Sequence, residues 1–149
     1  TLFFIIPVFM FIRMALNAID GMLAREFGQK TTLGAYLNEL CDVVSDAALY
    51  LVFVFTASVP LVIAVAILSI ISEYAGVMAP LVGASRRYDG PMGKSDRAFV
   101  FGALGIMAGA NLSTDWINYI LWAVILLLCV TIFNRVRMGL SDGREFQEF

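Results

Sequence analysis

Apolar and polar positions come in blocks along this chain, not in residue-by-residue alternation. Five apolar stretches stand out, at about 2–16, 34–56, 61–82, 97–110 and 116–133. The longer ones approach the roughly 20 residues, at about 1.5 Å each, that cross a bilayer as a helix. The turn-punctuated alternation of a membrane barrel is missing. Helices are then the way to close the backbone hydrogen bonds in lipid. The pattern predicts an all-α polytopic membrane protein, a bundle of five transmembrane helices forming one domain over 1–149. Val59 and Pro60 break one connection. Residues 111–115 form another, with Ser113 and Thr114 placed to cap the next helix. Pro80 is placed to kink the third segment near its end. The fourth segment is short unless Lys94 to Arg97 belong to it. The charged 141–149 tail reads as frayed.

The basic residues orient this path. Arg13, Arg25 and Lys30 lie in or beside the first connection. Arg86, Arg87, Lys94 and Arg97 fill the third, and Arg135, Arg137 and Arg144 follow the last span. The second and fourth connections hold no Lys or Arg. All ten basic residues therefore fall on one side of an alternating five-span path. The positive-inside rule makes that side cytoplasmic, with Thr1 starting outside and Phe149 ending inside. Trp116, Tyr119 and Trp122 read as anchors at the outer interface.

Composition sharpens the membrane reading. The chain is 60% hydrophobic and 15% charged, with a mean hydropathy of +0.86. Soluble domains carry about 25% charged residues. A water-soluble domain is excluded, and no nucleic-acid partner is expected. There is no His, so the commonest general base and metal ligand is absent and catalysis must rest on carboxylates. Cys41 and Cys129 read as reduced, buried thiols rather than a disulfide. The first stretch is a poor signal peptide, since it carries Arg13 and lacks a basic leader and cleavage site. The chain begins at Thr1 and reads as a trimmed fragment.

Ionisable residues inside a membrane are costly and mark function. Asn17 and Asp20 lie three apart at the cytoplasmic end of the first span. Asn38, Asp42 and Asp46 follow at four-residue steps, which puts them on one face of the second helix. Asp46 lies about 12 residues into its span, roughly 18 Å deep. Glu73 is set into the third span, where an Arg partner or protonation would satisfy it. These groups should line a polar cavity open to the cytoplasm. Oxygen ligands from two helices suit Mg²⁺, Mn²⁺ or Ca²⁺ rather than zinc. Arg25, Lys94, Arg97 and Arg135 suit phosphates. Diphosphate chemistry on a lipid and cation-coupled transport both remain open at this point. The nearly apolar outer connections argue against transport. Gly102, Gly105 and Gly109 suit close helix packing.

The segment from Asn17 through Asp20, Gly21, Ala24 and Arg25, followed by Gly34, Asn38 and Asp42, resembles the signature of the CDP-alcohol phosphatidyltransferases. Their pattern is D-x-x-D-G-x-x-A-R, eight residues, then G-x-x-x-D-x-x-x-D. Every spacing matches, and Asn17 and Asn38 stand where the pattern has its first and third aspartates. The resemblance implies a six-helix fold, of which this chain supplies helices 2–6 and lacks the first. It implies transfer of a phosphatidyl group from a CDP-linked lipid, such as CDP-diacylglycerol, to an alcohol acceptor, with release of CMP. It further implies a divalent metal, Mg or Mn, at Asn17, Asp20, Asn38 and Asp42, with Asp42 also the catalytic base. Gly21, Ala24, Arg25 and Gly34 would meet the cytidine diphosphate. Family members hold phosphorylated acceptors with basic residues at the start of the fifth helix and the end of the sixth. Lys94, Arg97 and Arg135 fit those places by position, although flanking charge is the plainer reading. A homodimer is implied as well. The two asparagines halve the formal charge of the four acidic positions. They predict weaker or single-metal binding, with Asp46 or Glu73 as auxiliary acids, and they leave open a homologue that keeps the fold with impaired catalysis.

Overall fold

The computed structural model describes residues 2–26, 31–111 and 113–147, excepting the side chains of Asn17, Asp20, Gly21, Ala24, Arg25 and residues 144–147. Five α-helices make up most of the described residues, with three short 3-10 turns and one longer loop, 83–93, among them. Helix α1 is Ile5–Glu26, α2 is Thr32–Leu51, α3 is Val59–Met78, α4 is Lys94–Gly109 and α5 is Thr114–Gln147. Their order and number match the five apolar blocks.

The helix ends follow local chemistry. Thr31 caps α2, its Oγ1 accepting the Gly34 N–H at 3.0 Å. Pro60 sits in the first turn of α3, where a missing N–H costs nothing. Pro80 does not kink α3. The helix gives way at Met78 to a 3-10 turn, Ala79–Val82, which Gly83 closes at φ 85°. Lys94 to Arg97 do belong to α4, and Asp96 accepts the N–H of Gly93 at 2.9 Å ahead of it. Helix α5 spans 34 residues and runs through Ser141 to Gln147, where the sequence reads as a frayed tail.

Helix α3 packs along α5, α1 along α4 and α2 along α3. The interior is apolar at one end and ionic at the other. At the apolar end, Tyr50 stacks on Phe101 with centroids 4.0 Å apart, and Phe53 meets the same ring edge-on at 5.3 Å. Val62, Val65, Leu104, Ile117, Leu121, Val124 and Leu128 complete this core. Small residues on α4 let α1 approach: a methyl at Gly105 would lie 3.0 Å from Pro7 Cδ and 3.1 Å from Ile6 Cβ.

The outer surface is also apolar. Phe11, Phe55, Leu81 and Phe99 are each at least 75% exposed, and Leu126, Ile5 and Phe133 are mostly exposed too. A soluble monomer does not show such a surface to water, whereas hydrocarbon accepts it. Val59–Val82 and Thr114–Gly143 are long and apolar enough to cross a bilayer on composition alone. Helices α1 and α2 are interrupted by charges, and those that reach the interior are turned inward. Cys41 and Cys129 are free, as expected, but exposed rather than buried. Helix rotation puts both on the outer surface, where a small weakly polar thiol is tolerated. Trp116, Tyr119 and Trp122 are exposed near the start of α5, in keeping with interfacial anchors.

Candidate active site

The ionic end of the bundle holds a cavity of about 460 Å³. Its walls come from α2 (Asn38, Glu39, Asp42, Val43, Asp46), α3 (Glu73), the α3–α4 loop (Arg86, Tyr88, Gly93), α4 (Lys94, Ser95, Asp96) and α5 (Arg135). The four-residue steps of Asn38, Asp42 and Asp46 do put them on one wall. Asp42 sits midway, where Lys94 Nζ bonds its Oδ2 and Arg13 Nη2 approaches its Oδ1 at 3.2 Å. Asp46, one turn deeper, is bonded by Arg13 Nη1 and lies 3.7 Å from Arg97 Nη2.

Glu73, on the cavity wall, is the hub of the ionic cluster. Its Oε1 accepts from Arg97 Nη2 at 2.7 Å and lies 3.5 Å from Arg135 Nη1, while Oε2 lies 3.7 Å from Arg86 Nη2. Arg97 is 1% exposed and all three of its guanidinium nitrogens are engaged. Besides Glu73 it donates to Tyr50 Oη and to the Met92 carbonyl, each at 3.2 Å. Arg135 is 2% exposed and donates to the Ser72 carbonyl at 2.6 Å. Charges so placed persist in a membrane interior only when paired and hydrogen-bonded.

The loop that roofs the cavity is tied down at several points. The Arg87 N–H donates to the Gly76 carbonyl at 3.1 Å. A methyl at Gly76 would come within 2.5 Å of the Arg87 carbonyl oxygen, so glycine is what admits the loop here. The Met92 N–H donates to Thr131 Oγ1 at 2.9 Å, which donates in turn to the Leu127 carbonyl at 2.8 Å. Arg87 clasps both oxygens of Asp89, at 2.7 and 2.9 Å, and also bonds Asp142 on α5. That clasp holds the Asp89 carboxyl below its ordinary range and the Arg87 guanidinium above its own. Arg86 lies over the Tyr88 ring at 4.8 Å and pairs with Glu39 across the cavity mouth.

The sequence-predicted residues divide as follows. Asn38, Asp42, Asp46, Glu73, Lys94 and Arg135 line this one cavity. Arg97 lies under its floor, beside a small void it shares with Asp46 and Glu73. Gly34 lies in the first turn of α2. Asn17, Asp20, Gly21, Ala24 and Arg25 fall on the C-terminal half of α1, and their side chains lie outside the described residues. Arg13, Arg86 and Glu39 were not singled out from sequence. Arg13 carried a signal, an unpaired cation inside an apolar stretch one turn before Asn17. Arg86 and Glu39 carried none beyond their charge.

The donor chemistry suits a hard divalent cation, since carboxylate and amide oxygens of Asp42 and Asn38 line a cavity that Arg86, Lys94 and Arg135 also line. Among the described residues no three acid or thiol side chains gather as a cage, so α2 does not supply a complete ligand set. A chamber of this kind, with a carboxylate wall facing a cationic wall, can hold an anionic group and a cation together and accept a proton beside them.

Comparison with known proteins points the same way. The sequence model of the CDP-alcohol phosphatidyltransferase family matches residues 2–133. The inner membrane protein YnbA of Escherichia coli strain K12 is 47% identical over 149 residues, covering 97% of this chain and 73% of that protein. No solved structure matches the chain.

Proposed function

The chain belongs to the CDP-alcohol phosphatidyltransferase family, and from that premise we propose that it transfers a phosphatidyl group from a CDP-linked lipid such as CDP-diacylglycerol to an alcohol, releasing CMP. The family is one of divalent-metal-dependent membrane transferases of phosphate-containing groups, with a CDP-alcohol donor and an alcohol acceptor. Phospholipid synthesis at the cytoplasmic face is the setting that the one-sided basic residues support.

The observation that carries the reading is the position of Asp42. It stands on the carboxylate wall of the cavity, within bonding reach of Lys94 and facing the side that holds Arg86 and Arg135. In the proposed reaction the acceptor oxygen bonds to the phosphorus that carries the diacylglycerol. The bond from that phosphorus to the oxygen bridging to CMP breaks, and CMP leaves with the electron pair. The acceptor proton passes to the Asp42 carboxylate. Asp20 and Asp42, with the amide oxygens of Asn17 and Asn38, would hold the metal. When bound, that ion neutralises the diphosphate and improves CMP as a leaving group. Gly21, Ala24, Arg25 and Gly34 are assigned to the cytidine diphosphate, the glycines giving it a close backbone approach. Lys94 and Arg135, joined by Arg86, favour an acceptor that itself carries a phosphate. Arg97 acts from below, by holding Asp46 and Glu73.

A second reading is a homologue that keeps the fold without turnover. Its support is that Arg13 and Lys94 both engage Asp42 while two motif positions are amides. The deciding experiment is release of CMP from CDP-diacylglycerol by the purified chain with Mg²⁺ or Mn²⁺ and a panel of acceptors, with the lipid product weighed by mass spectrometry. Release with at least one phosphorylated alcohol is expected. No release with any acceptor would favour the silent homologue.

A further inference from the structure

Arg86, Lys94 and Arg135 line the cavity, and they are not equally committed. Lys94 bonds the Asp42 carboxylate, and Arg135 is 2% exposed and donates to the Ser72 carbonyl at 2.6 Å. Arg86 is held more loosely. Its Nη1 pairs with Glu39, the two side chains being 29% and 34% exposed, and its Nη2 stands 3.7 Å from Glu73 Oε2, beyond hydrogen-bond reach. Its Nε is buried without a hydrogen-bond partner among the described residues. A buried N–H left unmade is costly, so the guanidinium is one acceptor short. The Tyr88 ring, 4.8 Å away, offers its face but no such acceptor. Glu39 follows Asn38 on α2 and lines the same cavity. A partly exposed pair of this kind is worth little, so a stronger anion can displace the carboxylate.

We propose that Glu39 is a specificity-determining residue, whose carboxylate stands in on Arg86 for the phosphate of the acceptor and is displaced when that phosphate arrives. A phosphate monoester carries up to about two charges and three acceptor oxygens. It can satisfy the idle Nε and replace Glu39 together. A neutral alcohol can do neither and leaves Arg86 on Glu39. The pair thus sets a threshold that phosphorylated acceptors cross and neutral ones do not. The inference rests on the phosphorylated-acceptor reading above. The donor's diphosphate offers the same chemistry, so the test includes it.

Binding of inorganic phosphate to the full chain, in a detergent without phosphorus, is read from the phosphorus NMR line width with no donor and no turnover. The wild type should bind phosphate weakly. Glu39→Gln should bind it about fivefold more tightly, the factor set by the worth of a partly exposed pair. Arg86→Gln should weaken binding about tenfold or more. Adding Glu39→Gln to Arg86→Gln should regain less than about twofold, because Glu39 acts through Arg86. Arg86→Lys keeps the charge but not the planar fork. It should lose about threefold or more, and it serves in place of Arg86→Gln if that variant does not fold. CDP with Mg²⁺, standing for the donor headgroup, should leave phosphate bound. Equal tightening by Glu39→Gln in the wild-type and Arg86→Gln backgrounds would reduce Glu39 to a general field and overturn the proposal. So would unchanged or weaker phosphate binding by Glu39→Gln, or no phosphate binding by wild type and Glu39→Gln alike. Displacement of phosphate by CDP would give Arg86 to the donor and overturn it too. Phosphate bound as expected by a chain that releases no CMP would instead sink the transfer reading, and the phosphate site with its Glu39 stand-in would remain.

Discussion

Glu73 offers the sharpest test of the ionic end of the bundle. Replacing it with Gln keeps the shape and one acceptor oxygen but removes the charge that faces three arginines. Arg97 and Arg135 are 1% and 2% exposed, so water cannot substitute for the lost carboxylate. Breaking a buried ion pair by removing one partner costs about 3–5 kcal/mol. Asp46 stays 3.7 Å from Arg97, and the amide oxygen can still accept from it, so the lower end of that range applies. A loss of about 3 kcal/mol lowers the melting temperature of a domain this size by roughly 6–12 °C. Glu39→Gln is the matched control. Its pair with Arg86 is partly exposed, at 34% and 29%, and such pairs contribute about 0–1 kcal/mol. Thermal loss of the monodisperse size-exclusion peak, read on detergent-purified protein, measures both. Glu73→Gln melting within about 2 °C of wild type would refute the hub, because the cost of an uncompensated buried charge is too large to hide in that interval.

Four further outcomes are expected. Asp42→Asn should cut CMP release by about 10²- to 10⁴-fold, the range for loss of a general base, while the melting temperature and helix content stay close to wild type. Gly76→Ala should lift the α3–α4 loop from α3 at a cost of about 1–3 kcal/mol, seen as faster trypsin cleavage at Arg86 and Arg87. Thr131→Val keeps the side chain's shape but leaves the buried Met92 N–H without its acceptor, which should cost about 1–3 kcal/mol in thermal stability. The Arg87–Asp89 clasp gives the loop an acid limit. The folded carboxyl titrates below its ordinary 3.8, so its contribution is complete above that value and is lost as pH falls through the lowered one. Cleavage of the loop by an acid-tolerant protease should therefore rise on the acid side of pH 4, and Asp89→Asn should raise the neutral-pH rate and flatten that rise.

Helix number, order and approximate bounds were legible in the sequence because transfer of backbone and side chains into lipid is a local cost, summed residue by residue. The common face of Asn38, Asp42 and Asp46 was legible for a similar reason, since four-residue spacing on a helix is geometry and nothing else. The match to a motif signature across two helices made the family legible as well. Partner choice was not legible. A buried Arg97 or Glu73 announces that it needs an opposite charge, yet the pairing of Arg97 with Glu73 joins residues 24 apart and that of Arg13 with Asp46 residues 33 apart. Which acid meets which arginine depends on how helices are rotated and ordered, and a single amphipathic pattern holds no record of that. The same rotation turned Cys41 and Cys129 outward and set Arg97 below the cavity while Lys94 and Arg135 line it. Loop 83–93 is the clearest case. Its sequence is polar and unremarkable, and only the contacts of Gly76, Thr131 and Asp142 with it decide that it becomes a roof.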